Sequence, residues 1–125
     1  EDPLQTLSAV ATPADISRLQ KARRKIHVSG AVKEYITSIV GATRINPLLR
    51  LGSSPRGSLG LMRSGQALAA LRGREYVLPD DIKSLAVPVL SHRMILREEE
   101  RLRNTSQEDI VNQILNKISV PVSEK

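Results

Sequence analysis

The sequence contains no cysteine, no tryptophan and no phenylalanine, and only two histidines. Without cysteine there is no disulfide, no thiolate nucleophile and no thiolate ligand for a structural zinc. His27 and His92 are too few to build a metal cage unless several carboxylates converge on them, so no metal site is expected. Tyr35 and Tyr76 are the whole aromatic complement, which argues against a stacking platform for single-stranded nucleic acid. No run approaches the roughly 18 apolar residues that a membrane-spanning helix needs. The amino terminus lacks the charged-then-apolar pattern of a secretory signal. These absences fit a cytoplasmic protein without membrane contact. The chain opens on Glu1-Asp2-Pro3 rather than on Met, the expectation for a domain excised from a longer protein.

What is present suits one compact domain. A chain of 125 residues is one domain's worth, and at that size about two-thirds of the unfolded surface is buried on folding. Hydrophobic residues at 40% and charged residues at 26% exclude a disordered chain. Nineteen Lys+Arg against thirteen Asp+Glu give a net charge of +6, which invites a nucleic-acid reading.

The periodicity is helical nearly throughout, so the expected class is all-α, a small bundle of about five helices. Residues 1–12 show no repeat and read as a linker, 13–119 as the helical domain, and 120–125 as a tail. Thr12-Pro13-Ala14-Asp15 is a helix start, with an N-cap hydroxyl, proline at the first position and an acid in the first turn. Ile16, Leu19, Ala22 and Ile26 follow as its apolar stripe. A second helix opens at Ser29 or Gly30 and carries Val32, Tyr35, Ile36, Ile39, Val40 and Thr43 on one face. Residues 45–54 read as a loop. Ser54-Pro55 opens a third helix that runs to about Arg72 and stops at Gly73. It is apolar on most sides and therefore expected at the centre. Pro79-Asp80-Asp81 starts a fourth, in which Pro88 is predicted to break or kink the backbone. Residues 97–104 read as a charged loop. Thr105–Glu108 has a capping-box pattern before a fifth helix carrying Ile110, Val111, Ile114, Leu115 and Ile118. Residues 26–28 and 76–78 are expected to pair as a tiny two-stranded ribbon.

Arg56 breaks a rule that its neighbour obeys. It sits in the first turn of the third helix, where a cation opposes the helix dipole, whereas the fourth helix places Asp80 and Asp81 there. One resolution is an anion, such as a phosphate, held jointly by Arg56 and the free N–H groups of the helix start. The other is that Arg56 points into solvent or pairs with a carboxylate. Phosphate-loop and dinucleotide fingerprints are absent, and neither histidine stands in a nucleophile-elbow context.

Residues 52–96, GSSPRGSLGLMRSGQALAALRGREYVLPDDIKSLAVPVLSHRMIL, closely resemble the carboxy-terminal lid of MoxR-family AAA+ ATPases, and VKEYITSIVGATR at 32–44 resembles that lid's first helix. Asp2-Pro3-Leu4 looks like the family's connection from its α/β nucleotide-binding core. The resemblance implies that Arg56, in the SPR motif, is the sensor-2 residue that reaches the γ-phosphate of ATP, with Pro55 and Leu59 near the nucleotide. It also implies that ATP and Mg2+ are bound mainly by a core outside this chain, which alone is not an enzyme. Thr43-Arg44 and His92-Arg93 match recurrent family positions. Ser53 and Leu78 depart from the family's usual alanine and threonine, and Leu78 loses a helix cap. The implied partners are the chain's own core, neighbouring protomers of a chaperone-like ring, and von Willebrand factor A-domain proteins. A basic helical nucleic-acid-binding or protein-interaction module is the alternative. Against it, the basic residues are scattered among helix ends and loops rather than set along a recognition helix.

Overall fold

A computed structural model describes residues 2–122, and 123–125 of the expected tail lie outside it. Six α-helices occur among the described residues: α1 (Pro13–Arg23), α2 (Gly30–Arg44), α3 (Pro55–Leu71), α4 (Pro79–Leu90), α5 (Glu98–Leu102) and α6 (Gln107–Lys117). Two short strands, β1 (Leu49–Leu51) and β2 (Ile95–Leu96), pair antiparallel. The segment before Thr12 carries one 3-10 turn, Pro3–Thr6, and is exposed throughout its described length.

Local chemistry sets the helix starts. Proline occupies the first position of α1, α3 and α4, where its missing N–H is not needed and its φ is already helical. α1 closes with a reciprocal box: Asp15 N–H donates to the Thr12 hydroxyl oxygen, and the Thr12 N–H donates to the Asp15 carboxylate. The second box lies one residue beyond the expected pattern, with Ser106 accepting from the Asp109 N–H at 3.0 Å. Thr105 instead donates to the buried carboxylate of Glu100 at 2.9 Å. Ser106→Ala is expected to cost about 1 kcal/mol of stability, measured by urea denaturation of the chain.

α3 lies between α2 and α4 at the centre, as its all-round apolar character predicts. Ile39, Leu61, Ile82, Leu90, Ile110 and Val111 are fully buried, so α2, α3, α4 and α6 share one core. Burying a side chain of this kind contributes about 1.5–3 kcal/mol. α3 and α4 approach closely because Gly60 leaves room for Val89: a Cβ on Gly60 would stand 3.1 Å from Val89 Cγ1.

Four expectations need correction. The two-stranded sheet is made by β1 and β2, which fall in the expected loop and in the irregular segment after α4; residues 26–28 and 76–78 meet in a single parallel bridge, His27 with Tyr76. In that bridge the His27 N–H donates to Glu75 and the Val77 N–H donates to His27. The charged stretch 97–104 contains the short helix α5, whose first turn places Glu98, Glu99 and Glu100 at the favourable end of the dipole. Pro88 does not end α4, which runs on to Leu90. Lastly, α1 buries none of its residues: Ile16 is 48% and Leu19 65% exposed. α1 is held at its carboxy-terminal end, where Arg23 donates to Gln66 and Gln66 donates to the Ile26 carbonyl.

Candidate functional site

The start of α3 is anchored before Arg56 is reached. Thr43, 1% exposed at the end of α2, donates its hydroxyl to the Val40 carbonyl at 2.6 Å and accepts the Ser53 N–H at 2.9 Å. Gly52 lies against the backbone of Thr43 and Arg44. Ser54 holds the N-cap conformation without a side-chain cap, and the first turn of α3 contains no acid. The positive end of the α3 dipole is therefore not neutralised by its own helix.

Arg56, Leu59, Gly60 and Arg63 follow at three- and four-residue steps on one face of α3. Arg93 comes from the 3-10 turn Ser91–Arg93 that follows α4. Its Nε donates to the Val89 carbonyl at 3.0 Å, and Val89 is the residue packed over Gly60. The five residues Arg56, Leu59, Gly60, Arg63 and Arg93 thus line one open depression of about 390 Å³. Among the described residues, no carboxylate forms an ion pair with any of its three arginines. That removes the carboxylate-paired reading of Arg56 for the described part of the chain.

Leu59, 46% exposed, is the apolar wall of this depression. Pro55 is exposed at the first position of α3, one residue before Arg56, and is not among the lining residues. Arg44 is exposed in the last turn of α2, on a different element. The sequence reading missed that Arg63 and Arg93 stand with Arg56. The seven-residue step from Arg56 to Arg63 was a readable signal, whereas the arrival of Arg93 depends on how α4 packs.

The RGR-x-YV-x-PDD stretch is a structural lock rather than part of the depression. Gly73, at φ 71°, ends α3 in a left-handed turn, with Gly73 N–H donating to Ala70 and Arg74 N–H to Ala69. The turn delivers Arg72 and Arg74 to Asp81, which is fully buried. Asp81 accepts from Arg72 at 3.0 Å, from Arg74 at 2.9 and 2.7 Å, and from the Leu78 N–H at 2.8 Å. Leu78 has no side-chain acceptor to cap α4, and Asp81 supplies the other half of that cap. Burial pushes the Asp81 carboxyl up, but the hydrogen bonds from Arg74 and Leu78 and the charges of Arg74 and Arg72 outweigh it and hold the group below its ordinary value.

Residues 41–114 match the family model described as AAA lid domain. The chain belongs to the AAA lid domain family. Its relatives place this lid domain in the MoxR group of AAA+ proteins. The uncharacterized protein YeaC of Bacillus subtilis is 42% identical over 96% of this chain and 38% of its own length. Chaperone MoxR1 of Mycobacterium tuberculosis is 31% identical over 90% of this chain and 32% of its own. A crystal structure described as a "putative ATPase" of Cytophaga hutchinsonii superposes with a TM-score of 0.84 at 30% identity, over 87% of this chain and 36% of that one. The chain therefore spans between 32% and 38% of the length of these proteins.

Proposed function

We propose that this lid domain serves an ATP-hydrolysing AAA+ protein as its sensor-2 element, with Arg56 directed at the γ-phosphate of ATP held by a core domain. The observation that carries the reading is Arg56 in the first turn of α3, without a carboxylate partner among the described residues, at the uncapped positive end of a central helix. A planar guanidinium donates in pairs to phosphate oxygens and counters the charge that develops on them during transfer. Leu59 offers the nucleotide an apolar wall, and Pro55 sets the helix start that aims Arg56. Mg2+ and the remaining catalytic groups belong to the core. Movement of the lid with the nucleotide's state then transmits hydrolysis to ring neighbours and to protein partners, von Willebrand factor A-domain proteins being the class proposed.

The test is Arg56→Ala in the full-length protein. Turnover at saturating ATP is expected to fall about 100-fold, the usual consequence of losing one preorganised donor to transition-state charge. The circular-dichroism spectrum and unfolding midpoint of the lid domain are expected to stay unchanged, because Arg56 is exposed. Unchanged turnover refutes the sensor reading.

A further inference from the structure

The depression holds three arginines where a single sensor needs one. Arg56 and Arg63 come from one face of α3, and Arg93 is brought in by a separate element. Arg93 is also restrained: its Nε is committed to the Val89 carbonyl, and Val89 is packed on Gly60 midway between Arg56 and Arg63. The two terminal nitrogens of Arg93 are left for a ligand, while the position of the guanidinium follows the α3–α4 contact. Three like charges around one depression repel each other unless an anion joins them, and no carboxylate among the described residues does so.

We infer that Arg63 and Arg93 complete, with Arg56, a binding site for a chain of phosphate groups, so that the lid grips several phosphates of a nucleotide rather than one. A phosphate chain suits the site better than a lone carboxylate. Each phosphate carries up to two negative charges and several acceptor oxygens, which planar guanidiniums meet in pairs. The inference deepens the sensor reading and rests on it for the identity of the ligand as ATP. It adds two binding contacts, Arg63 from α3 and Arg93 from the turn that follows α4. Because Arg93 moves with α4 and Arg63 with α3, the site is whole only when these helices keep their register.

The probe is inorganic tripolyphosphate, titrated into the 125-residue chain and followed through the arginine Nε–H resonances. Shifts are expected at Arg56, Arg63 and Arg93. Arg63→Gln and Arg93→Gln are each expected to weaken binding about tenfold, the usual size of one lost charge-assisted contact. Arg101→Gln, a control on α5 that does not line the depression, is expected to bind as the parent does. In the full-length protein, Arg93→Gln is expected to raise KM for ATP by about the same factor, with less change in kcat. Parent-like tripolyphosphate binding by Arg63→Gln and Arg93→Gln overturns the inference, as does equal weakening by Arg101→Gln, which signals diffuse attraction. Altered sedimentation of the full-length Arg93→Gln protein with unchanged tripolyphosphate binding also overturns it, in favour of a contact with a neighbouring protomer. The two readings fail separately. Unaltered hydrolysis in Arg56→Ala with a responsive trio removes the sensor role alone. Lost hydrolysis in Arg56→Ala with an unresponsive Arg63 and Arg93 removes only the larger site.

Discussion

Asp81→Ala is expected to destabilise the chain by about 3–5 kcal/mol, seen as a lower midpoint in urea or heat. The carboxylate is inaccessible to solvent, and Arg74 grips it with two nitrogens while Arg72 adds a third contact. Removing it leaves guanidinium groups and the Leu78 N–H without their acceptor, at the joint where the end of α3 turns into the start of α4. Arg74 itself is only 20% exposed at its side chain, so much of its lost partner cannot be replaced by water. Asp81→Asn keeps the shape and one acceptor oxygen, and is expected to cost less than alanine. A pH dependence follows from the direction of the shift. A carboxyl held below its ordinary value of 3.8 stabilises the fold fully above that value, and the contribution is lost as pH falls through the folded-state value. The parent chain is therefore expected to lose stability on acidification below about pH 4, and the Asp81→Ala chain to lose less over the same window. Parallel acid profiles of the two proteins contradict the assignment.

Gly52→Ala is expected to be the most damaging of the small-to-larger changes, at about 3 kcal/mol. A Cβ there would stand 2.4 Å from the Thr43 carbonyl oxygen, 2.5 Å from its carbon and 2.6 Å from Arg44 Cα. All three are backbone atoms, so no side chain can rotate away. The loop has to lift from the end of α2, and that motion pulls the Ser53 N–H off the Thr43 hydroxyl. The start of α3 moves with it, carrying Arg56. Gly41→Ala is the matched control: that glycine lies inside α2 with nothing near its virtual Cβ, and alanine there is expected to stabilise by about 0.5–1 kcal/mol. Urea denaturation of the two variants beside the parent measures both signs. In the full-length protein, Gly52→Ala is expected to lower turnover even at temperatures where the lid domain remains folded.

Most of the helical framework was legible because it depends on short-range rules. Prolines at helix starts, Asp15 and the apolar stripes of α2, α4 and α6 are local signals, and α3 announced its central place by lacking a polar face. What failed was non-local. β1 and β2 are too short to show an alternating pattern, and beside them the Arg97 N–H and Nε reach back across about fifty residues of sequence to the Leu48 and Pro47 carbonyls. The stripe on α1 reads like any buried stripe, and the sequence cannot say that no other element among the described residues buries it. Pro88 stays within α4 although its ring removes one donor, because the helix is held by its packing against α3 and α6. At the site, Arg56 stood out through the charge rule at helix ends. Arg93 carried no such mark, since its place is decided by Val89 meeting Gly60 from another helix.

The pairing of β1 with β2 has a consequence for assembly. It closes a loop that contains α3, α4 and the turn Ser91–Arg93, and with them all three arginines of the depression. Closing a long loop costs conformational entropy that grows only slowly with its length, but contacts distant in sequence have to cover that cost together. The α3–α4 hairpin is local, and its packing free energy is available before the ends meet. The strand pair is thus a clasp that ties together the two ends of the segment bearing the arginine-lined face.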